Sequence, residues 1–160
     1  MPILTILVRL GLRAGEVAAL QLGDIDWRRG EITMRGKANR AERLPLPPDV
    51  GEVIVAWLVQ GRPAARGPHV FTRVHAPYRG LAMPSVSHVV RQACLRAGLP
   101  PVHAHRLRHT AATQMLRAGA DLAEIGQVLR HRSLVTTAIY AKVDRAALSA
   151  LARPWPGGAR

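Results

Sequence analysis

Cysteine is almost missing from this chain. Cys94 is the only one in 160 residues, so no intrachain disulfide can form, and a reducing cytoplasm suits the sequence. It lies in the helical apolar pattern Val89–Leu95, which predicts a core position. Lysine is equally scarce: of 23 basic residues only Lys37 and Lys142 are lysines, so 21 are arginines. Aromatic side chains make up 4%, and the two tyrosines are Tyr78 and Tyr140. Acids number only 10, which leaves a formal net charge of +13. A field of that sign favours a polyanionic partner, since each neutralised phosphate releases condensed counterions. Long apolar runs are also missing. The stretch Pro2–Val8 is too short to span a bilayer, and it lacks the basic start and cleavage site of a signal peptide. A membrane surface would call for a Lys-rich amphipathic helix, which no segment offers. Nucleic acid is the partner that remains, with no membrane role.

What is present reads as one domain, long enough to bury a core without metal or disulfide staples. Ile3, Leu4, Ile6, Leu7, Val8 and Leu10 predict a buried first helix. Val17, Leu20 and Leu22 predict a second after Gly11-Leu12-Arg13. Asp24–Trp27, the turn Arg28-Arg29-Gly30 and Glu31–Arg35 read as strand, turn and strand. After a polar turn over Gly36–Glu42, Arg43–Leu46 reads as an edge strand that tolerates Pro45. Pro47-Pro48-Asp49 opens a helix to about Val59, with Val53, Ile54 and Trp57 inward. Gly61–Pro84 reads as a long loop, functional or mobile, broken by a short Val70-Phe71 strand. Helices are expected over Ser85–Ala97, His105–Ala118, Leu122–Leu129, Leu134–Tyr140 and Arg145–Ala152, with Gly98 and Gly119 as C-terminal stops. The fold class is therefore mainly α (α+β), with a small three-stranded antiparallel sheet.

The densest chemistry lies in His103-Ala104-His105-Arg106-Leu107-Arg108-His109. His105 and His109 are four apart, the spacing of zinc proteases. Arg106 stands where such enzymes hold their glutamate, and Arg108 adds a second cation, so a metal is disfavoured. An anion suits the cluster better. Arginine binds phosphate oxygens with a planar fork, histidine exchanges protons near neutral pH, and residues three apart share a helix face. A DNA-binding helix without catalysis would look the same. Further on, His131 precedes Tyr140 by nine residues, and Ser133 reads as the N-cap of the helix carrying that tyrosine. Taken alone, Tyr140 reads as a half-buried packing aromatic.

Together these segments resemble the catalytic domain of tyrosine recombinases, the phage integrase and Xer-type family. Gly11–Leu20 resembles the family's first arginine box, with Asp24-Ile25-Asp26-Trp27 after it. Gly36-Lys37 resembles the lysine of its hairpin turn. His105–Thr113 matches the His-x-x-Arg box, and Leu129–Tyr140 matches the last box. The boxes stand in family order, and the resemblance covers roughly residues 3 to 152.

The resemblance implies that Tyr140 attacks phosphorus, leaving a 3′-phosphotyrosyl link and a free 5′-hydroxyl, with no metal, cofactor or ATP. Arg13 and Arg108 would clamp the scissile phosphate, and His131 would add a hydrogen bond. This fits the need for fixed cations where charge develops. His105 matches the base that takes the phenol's proton and Lys37 the acid that protonates the departing oxygen. A lysine kept in so lysine-poor a chain fits that role, because arginine does not give up its proton. Glu16 matches an acidic position that orients the clamp; a surface partner of Arg13 is the plainer alternative. Arg9, Arg35, Arg40, Arg43, Arg106 and Arg132 are candidate contacts to the DNA backbone, or solvated surface.

Two departures stand out. Arg130 occupies a position where many family members have glycine. Met1 falls at or inside the first catalytic helix, so the expected layout is a catalytic domain over 1–152 without the N-terminal core-binding domain, then a flexible tail over 153–160. The partner is double-stranded DNA, in the cytoplasm at the nucleoid. Self-association into a dimer or tetramer on DNA is expected, with Arg145–Ala152 as the docking segment or as a helix packed on its own domain. Two other readings stay open: a DNA-binding remnant of a mobile element, and nicking and closing of the type IB topoisomerase kind.

Overall fold

The computed structural model describes residues 1–35, 41–64 and 67–130. Lys37, Arg40, His131, Arg132, Tyr140, the two C-terminal helices and the tail lie outside the described residues, and so does the turn over 36–40.

The element order is α1 (Pro2–Arg9), α2 (Ala14–Ala19), a single 3-10 turn (Leu22–Asp24), β1 (Ile25–Asp26), β2 (Glu31–Arg35), β3 (Ala41–Pro45), α3 (Pro48–Ala56), α4 (Met83–Arg96), α5 (Ala104–Arg117) and α6 (Leu122–Val128). It is mainly helical with one three-stranded antiparallel sheet, ordered β1-β2-β3. The chain forms two compact units, Met1–Arg108 and His109–Arg160.

In the first unit, α1 buries Ile3, Ile6 and Leu7 and α2 buries Val17 and Ala18. They join a core with Ile32 and Met34 of β2, Val50 and Ile54 of α3, and Val86 and Val90 of α4. The alternation in β2 follows from strand pleating: Ile32 and Met34 point inward while Glu31, Thr33 and Arg35 do not. Strand β3 pairs with β2 from Glu31↔Pro45 to Arg35↔Ala41, so it begins two residues before the sequence pattern suggests. Ala41, Glu42 and Arg43 are exposed on it, and an edge ribbon with no apolar face gives no hydrophobic signal.

Three other boundaries differ from expectation. Helix α2 stops at Ala19, and Leu22 lies exposed in the 3-10 turn, because Asp24 accepts the Gln21 N–H and tightens the chain there. Helix α3 ends at Ala56 and widens into a π turn over Trp57–Gly61. Trp57 is accordingly only half-buried, its indole N–H donating to the Val70 carbonyl at 2.9 Å. The segment after it contains no strand of its own, yet it is well anchored. The Val70 N–H donates to Leu20, the Leu22 N–H to Pro68 and the Leu81 N–H to Phe71. Val70 and Phe71 are fully buried. Cys94 sits half-buried at the margin of this core.

The second unit packs Ala112 and Leu116 of α5 against Ile125 of α6 and Leu129. Asp121 caps α6, its Oδ1 accepting the Glu124 N–H at 2.7 Å while Glu124 Oε2 accepts the Asp121 N–H at 2.9 Å. Gly98 and Gly119 follow α4 and α5 with φ of 68° and 94°, as expected of helix stops.

Candidate active site

Arg13 is the N-cap of α2, with an extended backbone (φ −77°, ψ 150°). The carboxylate of Glu16 reaches back over the first turn. Its Oε2 accepts the Arg13 backbone N–H at 2.7 Å, and its Oε1 meets the Arg13 guanidinium Nη1 at 2.9 Å. The Arg13 side chain is 48% exposed and that of Glu16 only 11%, so the fixed carboxylate aims the exposed cation. Glu16 thus has both the capping and the orienting geometry. Glu16→Gln keeps a carbonyl oxygen for the cap but removes the charge. The strand cleavage that the resemblance implies is expected to slow about tenfold, the equivalent of ~1.4 kcal/mol, with little change in thermal midpoint. Single-turnover cleavage run beside a melting curve checks it; parallel losses in both would leave Glu16 with a purely structural role.

Arg108 is the other extreme. It lies on α5 with only 1% of its surface exposed, the largest fully buried side chain among the described residues. A buried guanidinium is costly unless acceptors meet it. The Gly11 carbonyl accepts a hydrogen bond from Nη1. Gly11 has a φ of 58°, in the left-handed region that glycine adopts freely, and this turns its carbonyl toward α5. The two arginine boxes therefore meet: Arg108 is bonded to a residue two positions before Arg13. His105 lies exposed on α5, one helical turn before Arg108. Arg106 is exposed as well.

The remaining arginines divide by their partners. Arg9 Nε pairs with Asp49 Oδ2 at 2.7 Å, with both side chains at least half exposed. Arg43 lies 3.9 Å from Glu31, a loose pair on the β2–β3 ribbon. Arg35 is held by Asp24, whose side chain is 3% exposed. Sequence reasoning passed over Asp24 as part of a strand. The available signal was an acid three residues after Gln21, where it can close a tight turn. It also passed over the absence of any Asp or Glu from residue 53 to residue 120, a stretch holding nine arginines. Among the described residues no group of three His, Cys, Asp or Glu side chains is placed to hold a metal ion.

Arg130, where the resemblance leads one to expect glycine, has a φ of 54°. Left-handed backbone costs a residue with a Cβ about 1–2 kcal/mol, which is why glycine suits the place. Arg130→Gly is expected to raise the thermal midpoint by about 2 °C. A lower midpoint would show that contacts of the arginine side chain outweigh the backbone strain.

The family model of the phage integrase family matches residues 2–147. The chain belongs to the phage integrase family. It is 52% identical over 157 residues to the integrase/recombinase y4rA of Sinorhizobium fredii, covering 96% of this chain and 38% of that relative. The chain thus spans about two fifths of that relative's length. Among solved structures it resembles the XerA recombinase, with a TM-score of 0.80 and 25% identity over 94% of this chain and 55% of the other. It likewise resembles the XerH site-specific recombinase bound to a palindromic difH substrate in a post-cleavage complex. That match has a TM-score of 0.78 and 25% identity, over 96% of this chain and 45% of the other. Such catalytic folds are helical with a small sheet, as here. No helix among the described residues is long and apolar enough to cross a membrane.

Proposed function

We propose that this chain is the catalytic portion of a site-specific recombinase, one that cuts and rejoins double-stranded DNA through a phosphotyrosine at Tyr140. The observation that carries the reading is the buried Arg108 bonded to the carbonyl of Gly11, two residues before the Glu16-oriented Arg13. A guanidinium buried at such expense, bonded to a backbone that two residues later carries an oriented and exposed one, suits a dianionic partner, and a phosphodiester approaching its five-coordinate state provides one. The net charge of +13 and the acid-free stretch over residues 53–120 supply the long-range attraction to DNA.

In the proposed cycle, Arg13 and Arg108 hold the non-bridging oxygens, assisted by His131. The phenol oxygen of Tyr140 bonds to phosphorus and its proton passes to His105. The bond from phosphorus to the 5′-oxygen breaks, and Lys37 supplies the proton that this oxygen takes up. The energy of the broken bond is kept in the 3′-phosphotyrosyl ester, so a 5′-hydroxyl from the same or another strand can reverse the step without ATP. Exposed Arg106 and Arg43, with Arg40 and Arg132, are proposed to contact the DNA backbone. Residues 145–152 are proposed to join copies of the chain on DNA.

The test is a nicked suicide duplex, in which the short 5′ fragment diffuses away after cleavage and traps the enzyme on DNA. A covalent adduct that resists denaturation supports the proposal. Binding without an adduct at any enzyme concentration would leave a DNA-binding remnant instead.

A further inference from the structure

Asp24 and Arg108 are the only buried ionisable side chains among the described residues. Arg108 belongs to the phosphate clamp, and Asp24 has no part in the cycle set out above. A carboxylate leaves water at a large penalty unless its oxygens are well met. Those of Asp24 are. Oδ2 accepts the Gln21 N–H at 2.9 Å, while Nε and Nη2 of Arg35 converge on Oδ1, each at 3.0 Å.

Arg35 is the last residue of β2 and pairs with Ala41, the first of β3. Lys37 follows Arg35 by two residues in the sequence, in the segment expected to turn. Apolar anchorage of the ribbon ends before this point. Ile32 and Met34 are buried, whereas Arg35, Ala41, Glu42 and Arg43 are all exposed. The ionic link from Asp24 ties the ribbon's end to the core. Glu16, which aims Arg13, lines the same small cavity as Asp24 and Arg35.

We infer that Asp24 is a positioning residue for strand cleavage: through Arg35 it fixes the strand end from which the lysine turn departs, and so sets Lys37 against the leaving 5′-oxygen. This rests on the proposed role of Lys37 as the acid. It makes Arg35 a strut in the enzyme rather than a contact to the DNA backbone.

A bridging sulfur in place of the 5′-oxygen gives a discriminating readout, because a thiolate leaves without needing a proton while the phosphate clamp is still required. Single-turnover adduct formation at saturating DNA is compared on oxygen and sulfur versions of the suicide duplex that the unaltered chain cleaves. Asp24→Asn is expected to slow the oxygen substrate about tenfold or more and the sulfur substrate less than about threefold, the pattern expected of Lys37→Ala. Adding Asp24→Asn to Lys37→Ala should cost nothing further on oxygen. Arg35→Gln alters an exposed side chain, so it provides the same test if Asp24→Asn does not fold. Rescue of Lys37→Ala by sulfur without rescue of Asp24→Asn and Arg35→Gln overturns the inference alone. So does the lack of any defect in Arg35→Gln. Failure of sulfur to rescue Lys37→Ala overturns the reading of that lysine, and the inference with it.

Discussion

Tyr140→Phe is expected to abolish the covalent protein–DNA adduct while leaving DNA binding within about twofold of the unaltered chain. The substitution removes one oxygen, the atom proposed to bond to phosphorus, and keeps the ring that would pack in its place. Loss of the nucleophile itself should exceed about 10⁴-fold and reach the limit of detection. Tyr78, the other tyrosine, is the natural control. It lies exposed in the segment between α3 and α4, and Tyr78→Phe should form adduct at the normal rate. Gel separation of trapped adduct under denaturing conditions, beside a binding titration, reads both quantities. An adduct persisting in Tyr140→Phe and vanishing in Tyr78→Phe would move the nucleophile and undo the proposed cycle.

The second large effect is expected at Arg108, where stability and catalysis can be separated by the choice of substitution. Arg108→Ala leaves a cavity and deprives the Gly11 carbonyl of its donor in a buried place. Large-to-small changes and orphaned polar groups of this kind cost about 2–4 kcal/mol together. The thermal midpoint should fall by about 5 °C or more. Arg108→Lys keeps the charge and much of the volume but loses the fork that can hold an oxygen of the phosphate and a carbonyl of the protein at once. Cleavage by Arg108→Lys should therefore drop about 100-fold at saturating DNA, in the range of losing one fixed donor to developing charge, with a smaller shift in midpoint. Were Arg108→Lys to cleave normally, charge alone would suffice, and the forked geometry would have to be abandoned as the reason for burying an arginine.

The sequence made some of this structure legible and hid the rest for physical reasons. The amphipathic stripes of α4, α5 and α6 and the alternation of β2 carry their own periodicity, so their existence and order can be read directly. The edge strand β3 shows only its second half, because Ala41 and Glu42 face solvent and are placed by backbone pairing to β2. The segment after α3 reads as a loose loop because its order comes from carbonyls and N–H groups, which all sequences possess alike. At the site, Arg13, Glu16, His105 and Arg108 stand out by their order along the chain. What no spacing discloses is that Arg108 is buried and that Gly11 is turned to receive it. Asp24 is missed for a related reason, since its partner Arg35 is 11 residues away across a strand turn.

The bond between Arg108 and Gly11 joins residues 97 apart in sequence. The chain between them holds α2, the sheet, α3 and α4, and contacts of such long range are among the last to repay their loop entropy. A nascent chain still growing toward α5, or a breakdown product ending short of it, holds Arg13 without Arg108. In the proposed cycle such a chain has half a clamp. Under the proposed cycle this ordering works as a safety interlock: a clamp able to hold the scissile phosphate arrives only with α5.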